Sequence, residues 1–186
     1  MPDFLLQMDT TYLVAQAIGV VAATFGIFSF QQKSRGGILA FQIINNVFWT
    51  VHMFLLGAWA GGALNAIGIF RGIVFYFRAD KKWAQSKLWY AVFAAMFAGA
   101  SVFAWVQGDG ALCLLPLAGM LFTTVSLAER DPFRVRLISF LSSPCWLTYN
   151  VFKGSIPGVL TETFLMISII VGILRHDRAR FQKRAK

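Results

Sequence analysis

Apolar runs of about 20 residues recur along the chain, each closed by Gly, Lys or Arg. That is the length an α-helix needs to cross the hydrocarbon core of a bilayer. Seven stretches fit: Tyr12–Phe30, Ile38–Leu56, Gly62–Phe77, Leu88–Val106, Ala111–Leu127, Val135–Phe152 and Pro157–Leu174. The pattern predicts an all-α polytopic membrane protein, with residues 1–186 as a single integral domain. Composition agrees, since 58% of residues are hydrophobic and only 13% charged, against about 25% charged in soluble domains. Mean hydropathy is +0.64. A soluble fold of this size could not hide that much apolar surface.

Charge placement supplies the topology. Lys33 and Arg35 follow the first span, and Arg78, Lys81, Lys82 and Lys87 the third. Arg130, Arg134 and Arg136 follow the fifth, and the basic tail 178–186 follows the seventh. The connections at Gly57–Gly61 and Gln107–Gly110 hold no Lys or Arg, and the turn between the sixth and seventh spans holds only Lys153. The positive-inside bias then sets the C-terminus in the cytoplasm and the N-terminus outside it. The net charge of +9 is thus a topology anchor and a contact for anionic lipid, not a nucleic-acid surface. The partner it predicts is the lipid bilayer.

A shift of 97 residues aligns the first three spans with the last three without a gap. It places Phe25 on Phe122, Ser29 on Ser126, Trp49 on Trp146, Gly57 on Gly154 and Gly61 on Gly158. Val74, Arg78 and Asp80 fall on Val171, Arg175 and Asp177. The expected units are a three-helix repeat over 12–80, a linker helix over 88–106 and a second three-helix repeat over 111–177. The odd linker span restores direction, so both repeats run the same way through the membrane.

This plan of three, one and three spans resembles the SWEET and SemiSWEET sugar transporters and other PQ-loop-type proteins. The stretch FSFQQKSRGGILAFQIINNVFWTVHMFLLGAWAGGALNAIGIFRG resembles the YgjV family of bacterial inner-membrane proteins more closely, over nearly the whole chain. That resemblance implies a multi-pass protein of the bacterial inner membrane. The transporter resemblance departs at one motif: the Pro-Gln closing the first helix of each unit reads Phe30-Gln31 and Leu127-Ala128 here.

Gln42, Asn45, Trp49 and His52 share one face of the second span, being three, four and three residues apart. The matching positions on the sixth span are Ser139, Ser142, Trp146 and Tyr149. Polar groups at membrane depth need partners or water, so both stripes are expected to face inward. They would line a cavity or supply interhelical hydrogen bonds. In the SWEET-type pocket a Trp on the second helix and an Asn on the third of each unit hold the solute. That resemblance implies such roles for Trp49, Asn65 and Trp146, with Glu162 where the second Asn would stand. A carboxylate there points to a cationic or amine-bearing solute, or to proton coupling. Arg71 and Glu162 are the ionisable residues singled out within spans, and intramembrane charges are functional candidates by default. A salt bridge between the two repeats is the structural alternative. For His52 that alternative is a helix-packing hydrogen bond.

The expected function is a small-solute transporter or facilitator with its pocket between the repeats. The alternatives are a ligand-sensing receptor and an assembly partner that does not transport. Motifs of hydrolases, zinc proteases and phosphate loops are absent, so no enzymatic activity is expected. No cofactor or metal is expected either, and Cys113 and Cys145 are not in CxxC spacing. Ala94, Ala95, Ala98, Gly99 and Ala100 permit close helix contact within one molecule or in a homo-oligomer.

Overall fold

The computed structural model describes residues 9–29, 32–129 and 131–176, except the side chains of 35, 127, 128, 132, 175 and 176. The Phe30-Gln31 pair, Arg130, Asp177 and the tail 178–186 lie outside the described residues, as do the side chains of Leu127 and Ala128. Among the described residues there are seven α-helices: α1 (Thr10–Ser29), α2 (Arg35–Leu55), α3 (Trp59–Phe77), α4 (Leu88–Ala104), α5 (Leu114–Ala128), α6 (Pro132–Phe152) and α7 (Ile156–His176).

Helix ends follow local chemistry. Ser34 caps α2 by accepting the Gly37 N–H at 3.0 Å, and Asp131 caps α6 by accepting the Phe133 N–H at 3.3 Å. Side-chain acceptors at this position satisfy donors the helix cannot satisfy itself.

Among the described residues, five helical stretches are long and apolar enough to cross a membrane: Thr10–Ser29, Gly36–Leu55, Trp59–Phe77, Leu88–Ser126 and Ile156–Leu174. The fourth is 39 residues long, which as one helix would extend about 58 Å, against a hydrocarbon core of about 30 Å. It is not one helix. Gly108 and Gly110 take φ values of 106° and 54°, and this break separates α4 from α5. The predicted sixth span is helical as α6, but it is less apolar than the others, because Arg134, Arg136, Ser139, Ser142, Ser143 and Asn150 interrupt it.

The turns that follow α2 and α6 are built alike. Gly57 and Gly154, 97 residues apart, have φ values of 64° and 67°. Ala58 N–H donates to Met53 C=O at 2.8 Å and Gly57 N–H to Phe54 C=O at 3.0 Å. The matching bonds run from Ser155 to Asn150 at 2.9 Å and from Gly154 to Val151 at 3.2 Å. These paired bonds are the Schellman helix end, which calls for a left-handed residue at its centre. A Cβ on Gly57 would meet nothing within 4 Å, so Gly57→Ala isolates the conformational term. It is expected to cost about 1–2 kcal/mol, read as a lower melting temperature, and an unchanged melt would count against this turn.

Helix α2 packs between α1 and α3, and α6 between α5 and α7. The two trios meet where α3 touches α5 and α7 touches α1, while α4 lies against α3 and α5. The contacts close a ring in the order α1, α2, α3, α5, α6, α7. Small residues face inward: Ala15, Gly19, Ala22 and Ser29 are the buried positions of α1, while Leu13, Val20, Ile27 and Phe28 are exposed. That inversion suits lipid, where close helix approach and not water exclusion drives packing. The apolar core between α3, α4 and α5 holds Leu64, Val74, Phe93, Phe97 and Met120.

Candidate functional site between the two halves

The hydrogen bonds that join the two trios concentrate at the end of the bundle carrying the α2–α3 and α6–α7 turns. His52, near the end of α2, is fully buried. Its Nδ1 lies 2.6 Å from the Ala15 carbonyl of α1, and its Nε2 lies 2.7 Å from Ser155 Oγ of the α6–α7 turn. A carbonyl can only accept, so Nδ1 carries the proton. Ser155 Oγ accepts the Gly158 N–H at 3.1 Å, capping α7, and donates its own proton to Nε2. The network assigns one tautomer of the neutral ring and satisfies every atom in it. Close approach is built in, because a Cβ on Gly19 would stand 2.8 Å from the His52 ring.

Tyr149 occupies the position 97 residues on and is also fully buried. Its hydroxyl accepts the Gly61 N–H of α3 at 3.0 Å and donates to Asp109 Oδ2 at 2.7 Å. Asp109 Oδ2 also accepts the Ala60 N–H at 2.7 Å, and Oδ1 takes Lys153 Nζ at 2.6 Å. Ala58, which precedes α3, makes no side-chain cap. Asp109 supplies that cap from the α4–α5 connector, where a carboxylate also meets the positive end of the helix dipole. Burial pushes the Asp109 carboxyl up, but hydrogen bonds from Lys153, Ala60 and Tyr149 outweigh it and hold the group below its ordinary range. Lys153 Nζ sits 5.9 Å from the centre of the Tyr149 ring.

Residues 52 and 149 therefore each reach across to the opposite trio, His52 to Ser155 and Tyr149 to Gly61. Their aromatic neighbours repeat as well. Trp49 meets His52 edge-on at 5.2 Å, and Trp146 meets Tyr149 edge-on at 6.3 Å. Both tryptophans pack on one cluster with Met53, Ala60 and Cys113.

The other predicted residues lie outside this network, although Asn65 borders it through Gly61. Asn65 is buried and donates to the Gly61 carbonyl of its own helix at 2.8 Å. Glu162 is half-buried on α7 and lies against the Ser143 hydroxyl of α6. Arg71 is buried on α3 and donates to Thr124 Oγ1 of α5 at 2.6 Å. Arg71 and Glu162 make no salt bridge among the described residues. Asn45 lies near Gly26 of α1, and its Oδ1 is buried without a partner. Two surface hollows, of about 330 and 170 Å³, lie between α2 and α3 and are lined by residues such as Ile43, Tyr76, Leu39 and Asp80. None of the predicted site residues lines either.

Sequence reasoning missed Asp109, Ser155 and the partner of Lys153. A signal for the ion pair was present. Asp109 is the sole acid in the Gln107–Gly110 connection and Lys153 the sole base in the Lys153–Pro157 turn. With two spans between them, an even number, both fall on the same face. Nothing in the sequence indicated that Asp109 would cap α3.

The family whose sequence model matches residues 13–180 is Imp-YgjV, described as a bacterial inner membrane protein. The chain is similar to Inner membrane protein YgjV of Escherichia coli (strain K12), at 26% identity over 175 residues, 94% of this chain and 90% of that protein. No solved structure matches.

Proposed function

Because the chain belongs to the Imp-YgjV family of bacterial inner membrane proteins, we propose that it is a multi-pass transporter or facilitator of a small polar solute. In this reading all seven helices cross the bilayer, as two parallel three-helix repeats, α1–α3 and α5–α7, linked by α4 in a SWEET-like plan. The N-terminus is periplasmic and the C-terminus cytoplasmic. This places the turn end at the periplasmic face, where the one lysine, Lys153, is neutralised by Asp109.

One observation carries the proposal. At a single end of the bundle, repeat-related His52 and Tyr149 tie each trio to the other through hydrogen bonds. Transport by parallel repeats needs one rigid unit to rock against another, and polar contacts can exchange partners where an interlocked apolar seam cannot. The solute would bind between the trios below that closed end, among Trp49, Trp146, Asn65 and Glu162. No enzymatic step is part of this reading.

Purified protein in proteoliposomes, given sugars, amines, amino acids and organic acids in turn, is expected to accumulate or equilibrate one class faster than empty vesicles. Binding without flux would replace the transporter with a ligand-sensing receptor. Neither binding nor flux across the panel would leave an assembly role. The packed setting of Trp49 and Trp146 favours the receptor as the second reading, since they meet in a continuous apolar cluster.

A further inference from the structure

Arg71 is the buried charge that the turn-end network does not use. It is 7% exposed and lies on α3, where α3 meets α5 of the other trio. From the helical rise it sits about 9 Å from the Phe77 end of α3. Its one hydrogen bond among the described residues runs from Nη1 to Thr124 Oγ1 at 2.6 Å. Thr124 Oγ1 donates its own proton to the Met120 carbonyl at 2.8 Å. It can therefore accept from Arg71 but brings no charge to balance it.

No carboxylate among the described residues lies within salt-bridge distance of Arg71. Asp109 is held by Lys153, Glu129 pairs with Arg134, and Glu162 is placed against Ser143. The Nε–Nη2 edge of the guanidinium is uncommitted, and it is not sealed. The buried side-chain atoms left without a partner among the described residues are Asn45 Oδ1 and Asn150 Oδ1, neither of them on Arg71. A full cation thus stands at the junction of the two trios with one neutral partner and an open edge of two parallel N–H donors.

We infer that Arg71 is the recognition residue for a small monocarboxylate that binds between the two trios. The edge holds two parallel N–H donors at the spacing that matches the two oxygens of a carboxylate. Charge counting selects a monoanion. One carboxylate neutralises Arg71, whereas a phosphate dianion would leave a net negative charge in the bundle, and Lys153 is already engaged by Asp109. The inference deepens the transporter reading and rests on it for the idea of a solute site. It replaces the cationic solute suggested by Glu162, because Arg71 is the more buried of the two charges.

The test uses the full chain in detergent, with thermal shift and calorimetric titration of acetate, lactate and benzoate. Their amides and inorganic phosphate serve as controls, and wild type is run beside Arg71→Gln and Arg71→Lys. Saturable binding of at least one carboxylate is expected, with no response to its amide. Binding should be weaker in Arg71→Gln by roughly tenfold to a hundredfold, the range for losing a hydrogen bond to a charged group. Arg71→Lys keeps the charge and should retain part of the affinity, which decides the matter if the Gln variant does not fold. Carboxylate binding unchanged in both variants would overturn the inference. So would tighter binding of phosphate, or no carboxylate response from folded wild type. Carboxylate binding without flux of any solute would remove the transporter reading and leave this site standing. Flux of a neutral or cationic solute indifferent to Arg71 would do the reverse.

Discussion

Asp109→Ala is expected to cost about 3–5 kcal/mol of stability, the range for removing one member of a buried ion pair. The Asp109 side chain is fully buried and Lys153 only 16% exposed, so the lysine could not regain water without moving the α6–α7 turn. The Ala60 N–H and the Tyr149 hydroxyl lose their acceptor in the same step. Asp109→Asn should do less damage, because an amide oxygen can still accept from Ala60 or Tyr149. A double-mutant cycle with Lys153→Met would separate the pair from the cap. If Lys153→Met rescues much of the loss, stranded charge is the main cost; if it rescues little, the α3 cap is.

The same carboxylate gives a pH dependence of known sign. Its folded value lies below the ordinary 3.8, so the native state favours the ionised form. The stabilisation is full above the ordinary value and is lost as pH falls through the lower, folded one. The gap in melting temperature between wild type and Asp109→Asn is expected to be constant near neutrality and to narrow below about pH 4. A gap that stays constant into acid would show that the carboxylate is not held as an ion here.

Tyr149→Ala is the second large effect expected. Tyr149 is among the largest fully buried side chains, and its ring packs edge-on against Trp146. Deleting a buried aromatic costs about 3–5 kcal/mol in soluble cores. The low end is expected here, because lipid or detergent solvates apolar surface in the unfolded reference state. Tyr149→Phe keeps the ring and strands the Gly61 N–H, for about 1–3 kcal/mol. Chemical denaturation of both variants in mixed micelles would separate ring from hydroxyl. A Phe variant as stable as wild type would show that water replaces the hydroxyl, and that this end of the bundle is wet.

The hydrophobic pattern was enough to mark where helices stand, because period and run length are local properties. Each predicted span overlaps a helix, although hydropathy alone does not mark α6 as a crossing, with Arg134, Arg136 and its serines diluting the signal. The 97-residue offset was also legible. Gly57 and Gly154 occupy backbone conformations that disfavour other residues, so equivalent turns left the same letter at both places.

The candidate site was legible by type and not by partnership. Trp49 and Trp146, with His52 and Tyr149, carry one spacing on two helices, and that much was visible in the chain. That His52 would meet Ser155 and Tyr149 would meet Asp109 was not, since those partners lie 103 and 40 residues away. Asn65 offered a pocket amide by resemblance, yet its Nδ2 bonds its own helix, a choice that local geometry makes.

By itself the sequence determined a membrane-embedded, all-helical chain, the approximate positions of its helices, and the 97-residue match between the Gly57 and Gly154 turns. Each follows from hydropathy, capping and backbone sterics, which act within a few residues. Tertiary structure alone decided which buried polar groups find partners. Asp109 caps a helix it is 49 residues from, and Lys153 is neutralised by that same carboxylate, 44 residues away in another connector. Arg71 meets a threonine and, among the described residues, no acid. Burial in a bundle makes each such pairing costly to leave unmet, and only the approach of distant helices determines which ones are met.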